Sequence, residues 1–266
     1  MARNRIDEKF ADLKKRGEKA FVAYVTAGDP DLKTTQEIAL ALEQSGVDIL
    51  EVGVPFSDPT ADGPVIQEAS QRALRSGATL SRILDMIEKL RETSQVPIVL
   101  FSYFNPIFSF GAEAFAKRAS RAGVDGILVV DLPPEEADEL KKFTDPLGIK
   151  FVYLLAPTSG EQRIRAVAGK ASGFLYYISV TGVTGTQLPQ ADQIEADIRI
   201  IRKYTSIPVV SGFGISSADV AGSIAEKADG IVIGSAFMKI IGDGPADNLI
   251  GRIRDFAAAV RERISK

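Results

Sequence analysis

Cysteine and histidine are both absent from the 266 residues. Without cysteine there is no disulfide, no thiolate nucleophile and no thiolate metal ligand, a composition that fits a reducing compartment. Without histidine, general acid–base chemistry falls to carboxylates, Lys and Tyr, and no metal site is expected. Charge of one sign is lacking as well: 32 basic residues stand against 35 acidic ones, a net −3, with the signs mixed along the chain. Nothing in that pattern is the electrostatic footprint of a nucleic-acid binder. No uninterrupted apolar run approaches membrane-spanning length, and the opening MARNRIDEKF has no apolar signal-peptide core. The expectation is a soluble cytoplasmic protein. A chain of this length removes about three quarters of its surface from water on folding, enough for a core without staples.

What is present is a rhythm. Short β-branched runs recur at Ala20–Thr26, Asp48–Val54, Ile98–Ser102, Gly126–Val130, Phe151–Leu155, Gly173–Ser179, Val209–Ser211 and Gly230–Ile233. Between them lie stretches with apolar residues three and four apart, such as TTQEIALALEQSG and LSRILDMIEKLRE. Gly46, Gly77, Gly123 and Gly148 stand where helices end. Eight such units with no linker composition predict one domain over residues 1–266: a (β/α)8 TIM barrel with an extra N-terminal helix near Ile6–Lys15. An open doubly wound sheet is the structural alternative. The basic residues near both termini read as solvated helix faces.

In a barrel of this kind the chemistry sits at the C-terminal ends of the strands. The segment LEVGVPFSDPTADGPVIQ places Glu51 inside an aliphatic strand. Period-two alternation puts Ile49, Glu51 and Gly53 on one face and Leu50, Val52 and Val54 on the other, so Glu51 points into the barrel. A carboxyl there is desolvated and carries its proton near neutral pH; the plainer reading is an ion-paired structural carboxylate. The loop that follows brings Asp58 and Asp62 to the same mouth, with Asp62 on a more solvated loop where it stays ionised. Asp62 also precedes Gly63 and Pro64, so it could simply cap the next helix.

Late in the chain TGVTGT, SGFGISS and IGSA follow successive strands. Glycines let a backbone approach an anion, and the following helix starts offer unpaired N–H groups. Gly185, Gly214, Gly234 and Ser235 are therefore candidates for binding phosphate through the main chain, since these motifs contain no Lys or Arg. Tyr24, Phe101, Tyr103, Tyr176 and Phe213 fall on strands or at strand ends, as an aromatic pocket or as plain core. Asp131 ends a strand and could cap the helix opening at PPEEADELKK.

YVTAGDPD, LEVGVPFSDPTADGPVIQ, YFNPIF, YYISVTGVTG and SGFGISS, in this order and spacing, closely resemble the α subunits of tryptophan synthase, from the first strand to the loop after the eighth. The resemblance implies a lyase that cleaves indole-3-glycerol phosphate to indole and glyceraldehyde 3-phosphate. It implies Glu51 and Asp62 as the catalytic pair and Tyr176 near the substrate. Thr184 matches a lid-loop threonine in a segment, Thr181–Asp192, that reads as mobile. Gly185, Gly214, Gly234 and Ser235 match phosphate-binding positions, and Asp131, with Asp58, is implied in communication with a partner. No cofactor is implied in this chain. The partner is a β subunit carrying pyridoxal phosphate, in an α2β2 tetramer, and Pro55–Pro64 and Pro106–Phe110 are candidates for its docking surface. One departure is Thr60, where the family carries Leu or Met before ADGP.

Two other readings remain. Another phosphosugar barrel would need a different acid–base pair, and none is evident. A non-catalytic regulatory subunit would keep the glycine loops and lose Glu51 or Asp62, yet both are present.

Overall fold

The structure, a computed structural model, describes residues 4–178, 191–212, 214–243 and 246–265. Eight parallel strands close into a barrel in sequence order: β1 (Ala20–Thr26), β2 (Ile49–Gly53), β3 (Ile98–Ser102), β4 (Gly126–Val129), β5 (Lys150–Leu155), β6 (Leu175–Ile178), β7 (Val209–Gly212) and β8 (Gly230–Ile233). β1 pairs with both β2 and β8, which rules out the open sheet. The helices before β3 are α1 (Arg5–Arg16), α2 (Leu32–Gln44), α3 (Pro64–Arg75) and α4 (Leu80–Leu90). There follow α5 (Phe104–Phe110), α6 (Ala112–Ala122), α7 (Asp138–Thr144) and α8 (Glu161–Lys170). The last four are α9 (Ala191–Ile201), α10 (Ala218–Ala225), α11 (Ser235–Gly242) and α12 (Leu249–Ile264).

Two cores result from the strand period of two. Outward residues such as Leu50, Val52, Leu100 and Ile231 pack against the helices. Inward residues Val22, Ile49, Val99, Leu128, Val152, Val210 and Val232 fill the barrel, and Ile6, Phe10 and Leu13 of α1 plug its floor. Glycines on inward positions make room for neighbours. A Cβ on Gly126 would lie 2.9 Å from Ile6 Cδ1, and one on Gly212 would lie 2.6 Å from the Tyr176 hydroxyl.

The basic residues near the termini are not simply solvated. Arg261 of α12 pairs with Asp48, and Arg5 of α1 with Asp125 at 2.8 Å. Both aspartates are buried at the floor, where they also accept the first N–H groups of neighbouring strands: Asp48 from Phe21 at 2.9 Å and Asp125 from Ile98 at 2.8 Å. Pairing across more than a hundred residues has no local sequence signal, which is why the two termini read as solvent-facing.

Candidate active site

The inward face of β2 carries Glu51 between Ile49 and Gly53, and Glu51 is 1 % exposed. Its Oε1 has no hydrogen-bond partner among the described residues. No cation among the described residues offsets the burial, and desolvation pushes the carboxyl up to about 8. A structural ion pair is therefore not what holds Glu51 in place.

Asp62 lies on the loop that joins β2 to α3. Its capping role is absent: α3 starts at Pro64 with Gly63 as N-cap and no side-chain bond, and the Asp62 main-chain carbonyl accepts instead from Gln67 Nε2 at 2.8 Å. The Tyr103 hydroxyl, at the end of β3, accepts from Ala61 N–H at 2.9 Å and donates to the Asp62 carboxylate. Burial raises that carboxyl to about 6, with the Tyr103 hydrogen bond pulling it down. Asp62 is thus less solvated than a loop residue was expected to be, because the loop folds back over the mouth onto Tyr103. It still ionises below neutrality. At neutral pH Asp62 is therefore mostly charged and Glu51 mostly protonated.

Tyr24, Glu51, Asp62, Phe101, Tyr176, Gly214, Gly234 and Ser235 line one cavity at the C-terminal mouth. Tyr24 meets Phe101 edge to face at 5.3 Å. Tyr103 does not line this cavity; it lies behind the Asp62 loop, its ring tilted against Phe56 at 5.1 Å. Ile66, Val130, Leu154, Ile178 and Val232 supply apolar walls that no motif had singled out. Their only signal was position, since the last four share the inward alternation near the ends of their strands.

α11 begins directly after Gly234, and no side chain caps it. Its first residue, Ser235, lines the cavity, and the first N–H groups of a helix have no partner within the helix itself. α10, by contrast, is capped by Ser217, which accepts from Val220 N–H. Gly214 has φ +76, a conformation glycine adopts without strain. The described lining of the cavity contains no Lys or Arg. Thr184, Gly185, Phe213 and most of Thr181–Asp192 lie outside the described residues.

Asp58 and Asp131 stand apart from the cavity, exposed on the rim. Asp131 accepts from Phe104 N–H at 2.7 Å, so it holds the start of α5, whereas α7, the helix after PPEE, begins only at Asp138. On α5, Phe108 is 68 % exposed.

A family model described as tryptophan synthase alpha chain matches residues 10–263. A tryptophan synthase alpha chain of Citrifermentans bemidjiense is 52 % identical over 99 % of this chain and 98 % of its own length. One from Geobacter sulfurreducens is 51 % identical over 98 % and 99 %. Among solved structures, tryptophan synthase subunit alpha from Legionella pneumophila superposes with a TM-score of 0.92 at 35 % identity, with 99 % of each chain covered.

Proposed function

As the chain belongs to the tryptophan synthase alpha chain family, we propose that Glu51 and Asp62 are the two carboxyl groups with which it cleaves indole-3-glycerol phosphate. The reaction is a lyase step of L-tryptophan biosynthesis that releases indole and glyceraldehyde 3-phosphate. The observation that carries the assignment is the unpartnered, buried Oε1 of Glu51 in the same cavity as Asp62.

Indole bound through C3 is a poor leaving group until C3 is protonated. Glu51, protonated at neutral pH, gives its proton to C3, and the ring becomes a cationic indolenine. Ionised Asp62 accepts the ring N–H and stabilises the positive charge as it develops. Glu51, now a carboxylate, takes the proton of the chain hydroxyl beside the ring. The carbon–carbon bond breaks, its electron pair returns to the ring, and the aldehyde forms. Glu51 ends protonated again, by the hydroxyl's proton in place of the one left on C3, so no other acid or base is required.

Tyr103 keeps Asp62 ionised and in place. Phosphate capture by the open N–H groups of α11, with Gly214, Gly234 and Ser235, fixes the far end of the substrate, which is catalysis by positioning. Tyr24, Phe101 and Tyr176 flank the indole and its chain; Thr184, Gly185 and Phe213 complete the site in the same reading.

This chain needs no cofactor, and pyridoxal phosphate belongs to the β subunit with which alpha chains pair and to which indole passes. The exposed Phe108 of α5, with the exposed Asp58 and Asp131, supports docking of that subunit on the rim between β2 and β4, in an α2β2 assembly. No helix among the described residues is long and apolar enough to cross a membrane, and we place the reaction in the cytoplasm.

Indole release from indole-3-glycerol phosphate, with and without the β subunit, tests the reading. The chain has no Trp, so indole emission is followed with little protein background. Release by wild type and near-total loss in Glu51→Gln are expected; normal turnover by the variant would sink the assignment.

A further inference from the structure

Tyr24 stands opposite Glu51 in strand register, and the scheme above leaves its hydroxyl without a task. The foot of its side chain rests on the phosphate cradle, since a Cβ on Gly234 would lie 3.3 Å from Tyr24 Cβ and Cδ1. Its hydroxyl, at the other end, fills the hollow left by the missing side chain of Gly53, two residues beyond Glu51. The ring therefore spans from β8 across β1 to β2. It bridges the place where phosphate is held and the place where the bond breaks.

The hydroxyl has one protein partner, Thr26 Oγ1 at 3.1 Å. Two hydroxyl groups carry two protons, and the single bond between them uses one. Thr26 is 1 % exposed, while Tyr24 lines the cavity; either hydroxyl can be the donor between them, and with Thr26 donating the phenolic proton is the one left over. Burial first, and then the charge on Asp62, hold that phenol far above its usual pKa, so it remains a donor at any working pH. A phenylalanine would fill the same space without this capacity.

Indole-3-glycerol phosphate has two chain hydroxyls. Glu51 takes the one beside the ring, and the phosphate goes to Gly234 and Ser235. The middle hydroxyl, between those two anchors along the chain, is the one group of the substrate that the scheme leaves unassigned. We propose that Tyr24 donates a hydrogen bond to the middle hydroxyl of the glycerol chain, with Thr26 orienting the phenol, and so selects substrates that carry that hydroxyl. The assignment rests on the reaction given above.

The test uses two substrates: indole-3-glycerol phosphate and 3-(indol-3-yl)-3-hydroxypropyl phosphate, which lacks only the middle hydroxyl and is cleaved to indole and 3-oxopropyl phosphate. In wild type, removing that hydroxyl lowers kcat/KM by about tenfold, the scale of one lost polar contact in a closed site. Tyr24→Phe lowers kcat/KM by the same factor on the natural substrate and leaves the analogue's value at the wild-type level. Thr26→Val, which keeps the ring, gives a smaller loss of the same selectivity. Equal losses on both substrates, or no loss on either, would overturn the proposal. Failure of the underlying reaction looks different: wild type would release indole from neither compound, or Glu51→Gln would release it normally.

Discussion

The two ends of the barrel hold the same kind of side chain under opposite conditions. At the floor, Asp125 accepts from Ile98 N–H at 2.8 Å and pairs with Arg91 at 2.9 Å and Arg5 at 2.8 Å. Asp229 accepts from Val209 N–H at 2.8 Å and pairs with Arg202 at 2.8 Å. Asp48, Asp125 and Asp229 precede β2, β4 and β8, and Ser172 before β6 accepts from Phe151 N–H at 2.8 Å. Every even-numbered strand thus ties down the odd-numbered strand before it. At the mouth, Glu51 is buried like Asp48 and Asp125, and its Oε1 has no hydrogen-bond partner among the described residues. A carboxylate supplied with cations and N–H groups serves the fold, and one denied them is left with its proton as its only means of neutralisation. Burial alone does not separate the two; partners do.

Glu51→Gln should break the contrast most sharply. Indole release should fall by about a thousandfold or more, the scale of a lost general acid and base. The same change should stabilise the fold. The Glu51 carboxyl is raised from 4.5 to about 8, so the folded state binds its proton more tightly than the unfolded state does. Its contribution to stability is full below about 4.5 and is lost as pH rises to about 8. The variant should accordingly gain on wild type across that window, by on the order of 1 to 3 kcal/mol at its upper end, read by urea unfolding at several pH values.

The floor should answer in the opposite sense. Asp125→Ala strands Arg91 and the Ile98 N–H, and should cost about 3 to 5 kcal/mol in the same unfolding experiment. The protein that remains folded should keep its kcat. A large fall in kcat at unchanged stability would erase the distinction between floor and mouth.

The pH dependence sharpens the difference within the mouth itself. With Asp62 near 6 and Glu51 near 8, kcat/KM should decline below about pH 6, where Asp62 is neutral, and above about pH 8, where Glu51 has lost its proton. Tyr103→Phe should have the smallest effect. The hydrogen bond it removes favours ionised Asp62, so the acid limb should move to higher pH, with a loss of a few-fold at pH 7 and the alkaline limb unmoved.

Much of this was legible before any coordinates. β-branched runs located all eight strands, within about two residues at each end; β6, expected over Gly173–Ser179, begins at Leu175, and Ser179 lies outside the described residues. Alternation alone oriented Glu51. What was not legible depends on distant residues. The hydrogen bond on the Asp62 carboxylate comes from Tyr103, 41 positions away by number, and the Arg261–Asp48 pair joins residues 213 apart. The docking candidate Pro106–Phe110 lies within α5, with Pro106 in its first turn, where a missing N–H costs nothing. The motif reading also grouped Tyr103 with the cavity wall, when its work is on the loop that closes over it.

The inward glycines have a genetic corollary. Tyr24 occupies the hollow of Gly53, and Tyr176 that of Gly212, so each pair divides one fixed volume between two strands. A side chain gained at either glycine collides with a phenol, and the damage can be undone without touching the original lesion, by shortening the tyrosine. Second-site revertants of Gly53 lesions should therefore map to codon 24, and those of Gly212 lesions to codon 176.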